Sequence, residues 1–201
     1  NVYIADRDNN RIRKVDVKGI ITTFAGSGSA GLNPQGGTTG GFEGDGGLAT
    51  QARLNQPTSV GVDSDGNVYI ADSKNHRIRK VDKNGIISTF AGVGISSWEI
   101  GNYFKGEAGP AVNTYLNQPS KLAIDAAGNI FFADESLGGL IAKVSANGTI
   151  HIVAKKWPLD HEADTQEYPF IPLPAVGSFS WTIDASGLLY ISIANRIYRI
   201  K

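Results

Sequence analysis

The chain has 201 residues, with 19 Lys plus Arg against 19 Asp plus Glu, so its formal net charge is zero. That balance gives no general attraction for nucleic acid or acidic membranes, and the absence of cysteine excludes disulfides, thiolate metal sites and thiol nucleophiles. No apolar run approaches the length of a membrane span and no signal peptide is visible.

Taken in order, the chain opens on Asn1-Val-Tyr-Ile-Ala-Asp6, a β-branched and aromatic run that predicts a strand, followed by a second over Arg11-Ile-Arg-Lys-Val-Asp16. Both return after 66 residues, as Asn67-Val-Tyr-Ile-Ala-Asp72 and Arg77-Ile-Arg-Lys-Val-Asp82. The second copy reads in full. Thr58-Ser-Val-Gly-Val-Asp63 is a strand and Asp65-Gly66 a hairpin turn. Ser73-Lys-Asn-His76 and Asn84-Gly85 turn the chain twice more, and Ile86-Ile-Ser-Thr-Phe-Ala91 closes a four-stranded meander. Eroded copies open at Asn129-Ile-Phe-Phe-Ala-Asp134 and Leu188-Leu-Tyr-Ile-Ser192, after steps of 62 and 59 residues. Repeats of that length, each with several short strands, predict stacked or radially arranged β-units. Runs such as Val68-Tyr-Ile-Ala71 lack a polar face, so both sides must be covered. An up-and-down barrel would alternate apolar with polar; propeller blades fit better.

Leu54-Asn-Gln-Pro57, Val60-Gly-Val-Asp63, Gly66-Asn-Val-Tyr-Ile-Ala-Asp72 and Asn75-His-Arg-Ile78 resemble the NHL repeat, and Gly44-Asp-Gly-Gly-Leu-Ala49 fits its long-spaced variety. The resemblance covers most of residues 1–153; beyond Ala154 only Asp184, the Tyr190 strand and Arg196-Ile197 still register. It implies an all-β fold, a β-propeller of four-stranded antiparallel blades, six when complete. Six blades at ~60 residues each need roughly 360 residues. The expected organisation is therefore a partial blade over 1–26, blades over 58–92 and 120–154, and a partial blade over 179–201. Crossovers fill 27–57, 93–119 and 155–178. The chain has no methionine and starts inside a strand pattern, which leads us to expect a segment of a longer protein. Its open apolar faces call for further blades or a partner chain.

Residues shared by the copies build the fold, so function is sought where the copies differ. The crossovers share one face of a propeller with the turn between strands two and three. They carry Trp98, Tyr103, Trp157, Tyr168 and Phe170, which have no repeat counterpart and are the candidate partner-binding residues. Phe42 and Phe104 do repeat and read as packed blade linkers. Asp72, Asn75 and Arg77 recur as Asp6, Asn9 and Arg11; an Asp capping a turn, bonded to the returning Arg, would fix the loop. The third copy loses this set, with Gly138, Gly139 and Leu140 following Asp134, and its loop is expected to be looser or repurposed.

Other signals are weaker. Asp63-Ser-Asp65-Gly-Asn67 looks like part of a calcium loop but lacks the distal Glu. Asp160-His-Glu-Ala-Asp164 reads as a solvated acidic loop, His76 replaces Asn10 in a turn, and His151 lies on a strand. Arg13, Lys14, Arg79, Lys80, Lys143 and Arg199 form a basic stripe that reads as a solvated rim. Asn147-Gly-Thr149 is an Asn-Gly turn and also the one glycosylation sequon. No metal ligand set and no cofactor are expected. The functional expectation is a non-catalytic scaffold that recognises a protein or glycan partner through its loop-rich face, outside the cell or on its surface. One alternative is a structural bead of an extracellular assembly, the chain being an assembly subunit. The other is a metal-dependent propeller enzyme, a lyase or hydrolase, with its site in missing blades, since the innermost strands here offer only Asp63, Asp125 and Asp184 and no His.

Overall fold

Four sheets follow one another along the chain in a computed structural model, which describes residues 1–28, 40–96, 109–135, 139–156, 171–173, 179–193 and 196–200. The first sheet is β1 (Val2–Asp6), β2 (Arg11–Val15) and β3 (Ile21–Ala25), in that spatial order. The second is the complete meander β4 (Pro57–Val62), β5 (Val68–Asp72), β6 (Arg77–Val81) and β7 (Ile87–Ala91). In the third, β9 (Ser120–Ile124), β10 (Ile130–Asp134), β11 (Leu140–Val144) and β12 (Thr149–Lys156) form the blade. Two short strands, β8 (Gly109–Pro110) and β13 (Ile171–Leu173), add to its β12 edge, β8 antiparallel and β13 parallel. The fourth is β14 (Phe179–Ile183), β15 (Leu189–Ile193) and β16 (Arg196–Ile200).

Local sequence explains these elements. Each connection on the hairpin face is an Asp or Ser followed three residues later by Gly. Asp63 accepts the amides of Asp65 and Asn67, while the Gly66 amide closes back on the Asp63 carbonyl. Gly66 has φ +86°, a conformation that glycine adopts at little cost. The same construction recurs at Asp82/Gly85, Asp125/Gly128 and Asp184/Gly187.

The sheets pack face to face. Tyr3, Ala5, Ile12, Phe24 and Ala25 of the first meet Val68, Ile70, Val81 and Ile87 of the second, under a roof of Ala49, Ala52 and Leu54 from the crossover. Tyr69, Ala71, Ile78 and Ala91 then meet Ile130, Phe132, Val144 and Ile150 of the third sheet, roofed by Ala111 and Leu116. Phe131, Ile141 and Ala154 meet Trp181, Leu189 and Ile191 of the fourth. Covered on both faces, β5 is buried along its whole length, as a continuous apolar strand requires. The end sheets differ. Val2 and Ile4 are 60% and 42% exposed where their counterparts Val68 and Ile70 are buried. On the other end sheet Ile197 is 76% exposed where Ile78 is buried.

The crossovers also protect sheet edges. Gly46 and Gly47 exchange backbone bonds with Ile87 on the outer edge of the second sheet, and β8 pairs with Thr149 and Ile150 in the same way on the third. Strand structure in β8 and β13 therefore falls inside segments expected to be pure crossover, because an outer strand with free amides and carbonyls templates its neighbour.

The basic stripe is not a solvated rim at every position. Arg79 is fully buried. Across β5 and β6 it stands opposite Ile70, on the face that packs toward the first sheet and the crossover, whereas the next residue, Lys80, stands opposite Tyr69 on the other face. Alternation along one strand thus separates two neighbouring cations. The lysines stay at the surface and lie over aromatic rings, Lys14 over Tyr3 at 6.0 Å, Lys80 over Tyr69 at 5.5 Å and Lys143 over Phe131 at 5.5 Å.

Candidate functional site

The loop-rich face is built on the end of each second strand. After β5 the chain enters a 3-10 turn over Ser73–Asn75 and leaves it through His76 at φ +51°. Asp72, buried at its start, organises the turn. Its Oδ1 accepts the Asn55 amide at 2.8 Å, and its Oδ2 accepts Asn75 Nδ2 at 2.8 Å and Arg79 Nη1 at 3.3 Å. Arg79 Nη2 reaches across to Asp45 Oδ1 at 2.5 Å, and Asp45 Oδ2 accepts the amide and hydroxyl of Thr89. One buried guanidinium thus ties strand, turn and crossover together. Burial pushes the Asp72 carboxyl up to about 6, against the pull of Asn55, Asn75 and Arg79.

Arg77 does something else. The sequence suggested that it would bond Asp72, yet its Nη2 donates to the Val93 carbonyl at 2.8 Å and its Nη1 to the Asn75 carbonyl at 3.3 Å. Its guanidinium lies 3.6 Å from the Phe42 ring centroid, with that of Arg79 at 4.7 Å from the same ring. The first copy divides the work in the same way. Asn9 and Arg13 hold Asp6, at 2.7 and 3.0 Å, while Arg11 donates to the Ser27 carbonyl at 3.1 Å. The carboxylate partner is the arginine two residues further on, while the nearer one is claimed by a carbonyl of the crossover, Val93 in the second copy and Ser27 in the first. In the third blade Asp134 is buried and accepts the Asn117 amide at 2.8 Å. The counterparts of Asn75 and Arg79 there are Leu137 and Ala142.

Neighbouring blades are stitched across this face. The Gln56 amide donates to Asn10 Oδ1 at 2.7 Å, and the Gln118 amide donates to His76 Nδ1 at 3.1 Å. His76 thus replaces Asn10 as an acceptor, a role that only an unprotonated Nδ1 can fill. Removing the acceptor with His76→Ala is expected to cost about 1–3 kcal/mol if the Gln118 amide stays buried, whereas His76→Asn, which keeps an acceptor like that of Asn10, should lose less. Denaturant melts of the three proteins measure it.

On the hairpin face, Asp63, Asp125 and Asp184 are each engaged by their own turn. Asp63 Oδ2 takes Asn67 Nδ2 at 2.8 Å and the Tyr69 hydroxyl at 3.2 Å, and hydrogen bonds from Asn67, Tyr69 and Asp65 outweigh its desolvation and hold its carboxyl below the ordinary range. Beside it lies a cleft of about 230 Å³ between the second and third blades, lined by Asp65, Asn67, Tyr69, Lys80 and the Ala126-Ala127 turn. Among the described residues no three His, Asp, Glu or Cys side chains converge. Asn147 is exposed at its turn, its Oδ1 accepting the Thr149 amide at 3.0 Å. Trp98, Tyr103, Trp157, Tyr168 and Phe170, the candidate partner-binding residues, lie outside the described residues, as does the acidic stretch 160–164.

Consecutive antiparallel meanders, four-stranded in the second and third blades and three-stranded among the described residues of the first and last, packed face to face and joined by crossovers on one side, define a β-propeller. Residues 39–100 match the family model described as the teneurin NHL domain. With the repeated motifs, that places the chain in the NHL-repeat β-propeller family. It is 42% identical to human teneurin-4 over 86 residues, 41% of this chain and 3% of that protein. It is 38% identical to mouse teneurin-3 over 165 residues, 79% of this chain and 6% of that protein. A Bacteroides thetaiotaomicron protein of unknown function superposes with a TM-score of 0.53 at 25% identity, over 75% of this chain and 32% of that one. The chain therefore spans a small fraction of the curated relatives it matches.

Proposed function

We propose that this propeller segment is a non-catalytic binding module that recognises a protein or glycan partner through its crossover face, outside the cell or on its surface. The observation that carries the reading is how the shared and unshared residues divide on that face. Asp6, Asn9, Arg11, Asp72, Asn75 and Arg77 are committed to bonds within the scaffold, together with Arg13 and Arg79. They hold the face without occupying it. That leaves Trp98, Tyr103, Trp157, Tyr168 and Phe170 as aromatics with no repeat duty, in the segments that such a scaffold presents. The teneurin NHL match over 39–100 supports a module of this kind within a larger protein.

The test is the double variant Trp98→Ala, Trp157→Ala. Capture of partner from the source tissue by the immobilised protein is expected to fall at least tenfold, with unchanged circular dichroism and melting. Undiminished capture removes the assignment of these residues.

A further inference from the structure

Three consecutive blades place one residue each at the same level of their innermost strands: Ser59 on β4, Lys121 on β9 and Ser180 on β14, all four positions before the turn aspartate. Two of the three are serine, and the middle one is a cation. We propose that Lys121, flanked by these two serines on the inner rim of the crossover face, is a binding site for a carboxylate, that of an acidic side chain on a protein partner.

Several independent features single out Lys121. In the second blade the residue skipped by strand pairing is Thr58, since Pro57 faces Asp72 and Ser59 faces Ala71. In the third blade the irregularity moves one position along. Ser120 faces Ala133, Leu122 faces Phe132, and Lys121 is the extra residue. A bulge re-aims the side chain it carries. Lys121 adopts φ +40°, a left-handed conformation that lysine enters only at a cost, where glycine or asparagine would serve. The cost purchases a direction. Nζ leans out of its own blade over the Trp181 ring of the next, 5.0 Å from the centroid, and donates to Ser180 Oγ at 3.3 Å.

That bond uses one of three ammonium hydrogens. It leaves the Ser180 hydroxyl to donate outward, so two donor types of adjacent blades converge with a single positive charge. Partial desolvation lowers the lysine's affinity for its proton, which an incoming anion would restore. Ser59 is already engaged, its Oγ accepting the Leu122 amide at 2.9 Å, and so fixes the β9 backbone beside the bulge. One charge and one hydroxyl suit a monoanion. A phosphate is better served by bidentate guanidinium donors. A sugar acid would gain from an open aromatic face, but Trp181 is 4% exposed and Lys121 lies over it.

The proposal takes the crossover face as the binding face, yet it can be tested without the aromatic residues. Biosynthetic incorporation of lysine labelled with carbon-13 at Cε gives each lysine its own resonance and leaves its ammonium hydrogens in place. N-acetylglutamate amide, methyl glucuronide and inorganic phosphate are then titrated at constant ionic strength. The expected result is a saturable shift of the Lys121 resonance with the glutamate derivative, absent at Lys14, Lys80 and Lys143. Lys121→Asn should delete that resonance and melt no lower than the parent, since asparagine tolerates the backbone. A Lys121 response that is linear and equal to that of the other lysines overturns the proposal, as does saturation by glucuronide or phosphate in preference to the glutamate derivative. So does a variant that unfolds, which would make Lys121 a structural lid on Trp181. Because the probe is a small molecule, loss of partner capture in the Trp98/Trp157 variant leaves this outcome unaffected.

Discussion

Arg79→Ala is expected to lower the stability of the second blade by about 3–5 kcal/mol, the range for removing one partner of a buried ion pair. Arg79 is fully buried between Asp72, itself wholly buried, and the partly exposed Asp45. Without it a carboxylate remains in the core with amide donors only, and a cavity opens under Phe42. The pH dependence identifies the cause. The Asp72 carboxyl already sits near 6, above the ordinary 3.8, because burial outweighs its donors. A raised folded-state value means that this group's stabilisation is fully present below 3.8 and is lost as pH rises through 6. Removing the cation raises the value further. The deficit of Arg79→Ala should therefore be largest at pH 7.5 and shrink toward pH 5, where Asp72 takes up a proton. Urea melts of both proteins at the two pH values test this; a deficit independent of pH would assign the loss to packing alone. A double Asp72→Asn, Arg79→Met variant should recover part of the stability, because an uncharged pair of similar volume avoids the buried anion.

That network shows what could be read from sequence and what could not. The blades were legible because the copies repeat a continuous apolar run with the same Asp-to-Gly turns, and β5 and β6 fall within one residue of the repeated runs at each end. Asp72 and Asn75 were legible as a loop-fixing pair. Their arginine was not, since Arg77 and Arg79 both recur on the same face of β6: register sets Arg77 directly across from Asp72, yet Arg77 turns to the Val93 carbonyl and Arg79 makes the bond. One signal was available. Where the third blade has Leu137 in place of Asn75, it also has Ala142 in place of Arg79, so the two are lost together. Lys121 was hidden for a different reason. Its neighbours on the inner rim come from other repeats, and the bulge that turns it depends on a pairing shift that composition does not record. The substitution of lysine at a position that is serine in both flanking blades was nevertheless visible. His76 was set aside because its counterpart is Asn10, and that same equivalence correctly describes its role as an acceptor.

Gly92→Ala tests whether the fourth strand must leave the blade where it does. Gly92 follows β7 at φ +93°, and its amide donates to the Ala111 carbonyl at 2.9 Å, binding the strand's exit to the roof of the next interface. A Cβ there would overlap the His76 carbonyl oxygen and lie 3.1 Å from both Arg77 Cα and Leu116 Cδ1. The first of these is backbone, so relief requires moving the turn that carries Asn75 and His76. Leu116 belongs to the apolar core between the second and third blades, so that interface is disturbed too. Conformational strain alone costs about 1–2 kcal/mol, and displaced backbone adds to it, so a total loss of about 3–4 kcal/mol is expected. Gly85→Ala is the control. Gly85 has φ +80° but nothing within 4 Å of its Cβ, so it should lose only the strain, about 1–2 kcal/mol. Gly26 occupies the place of Gly92 in the first copy, at φ +90° and against the Asn10 carbonyl, and its alanine variant should behave like Gly92→Ala. If all three variants lost the same amount, left-handed backbone alone would explain these glycines. A larger loss at Gly92 and Gly26 would show that close approach of strand exit and loop, repeated from blade to blade, sets how tightly consecutive sheets can pack.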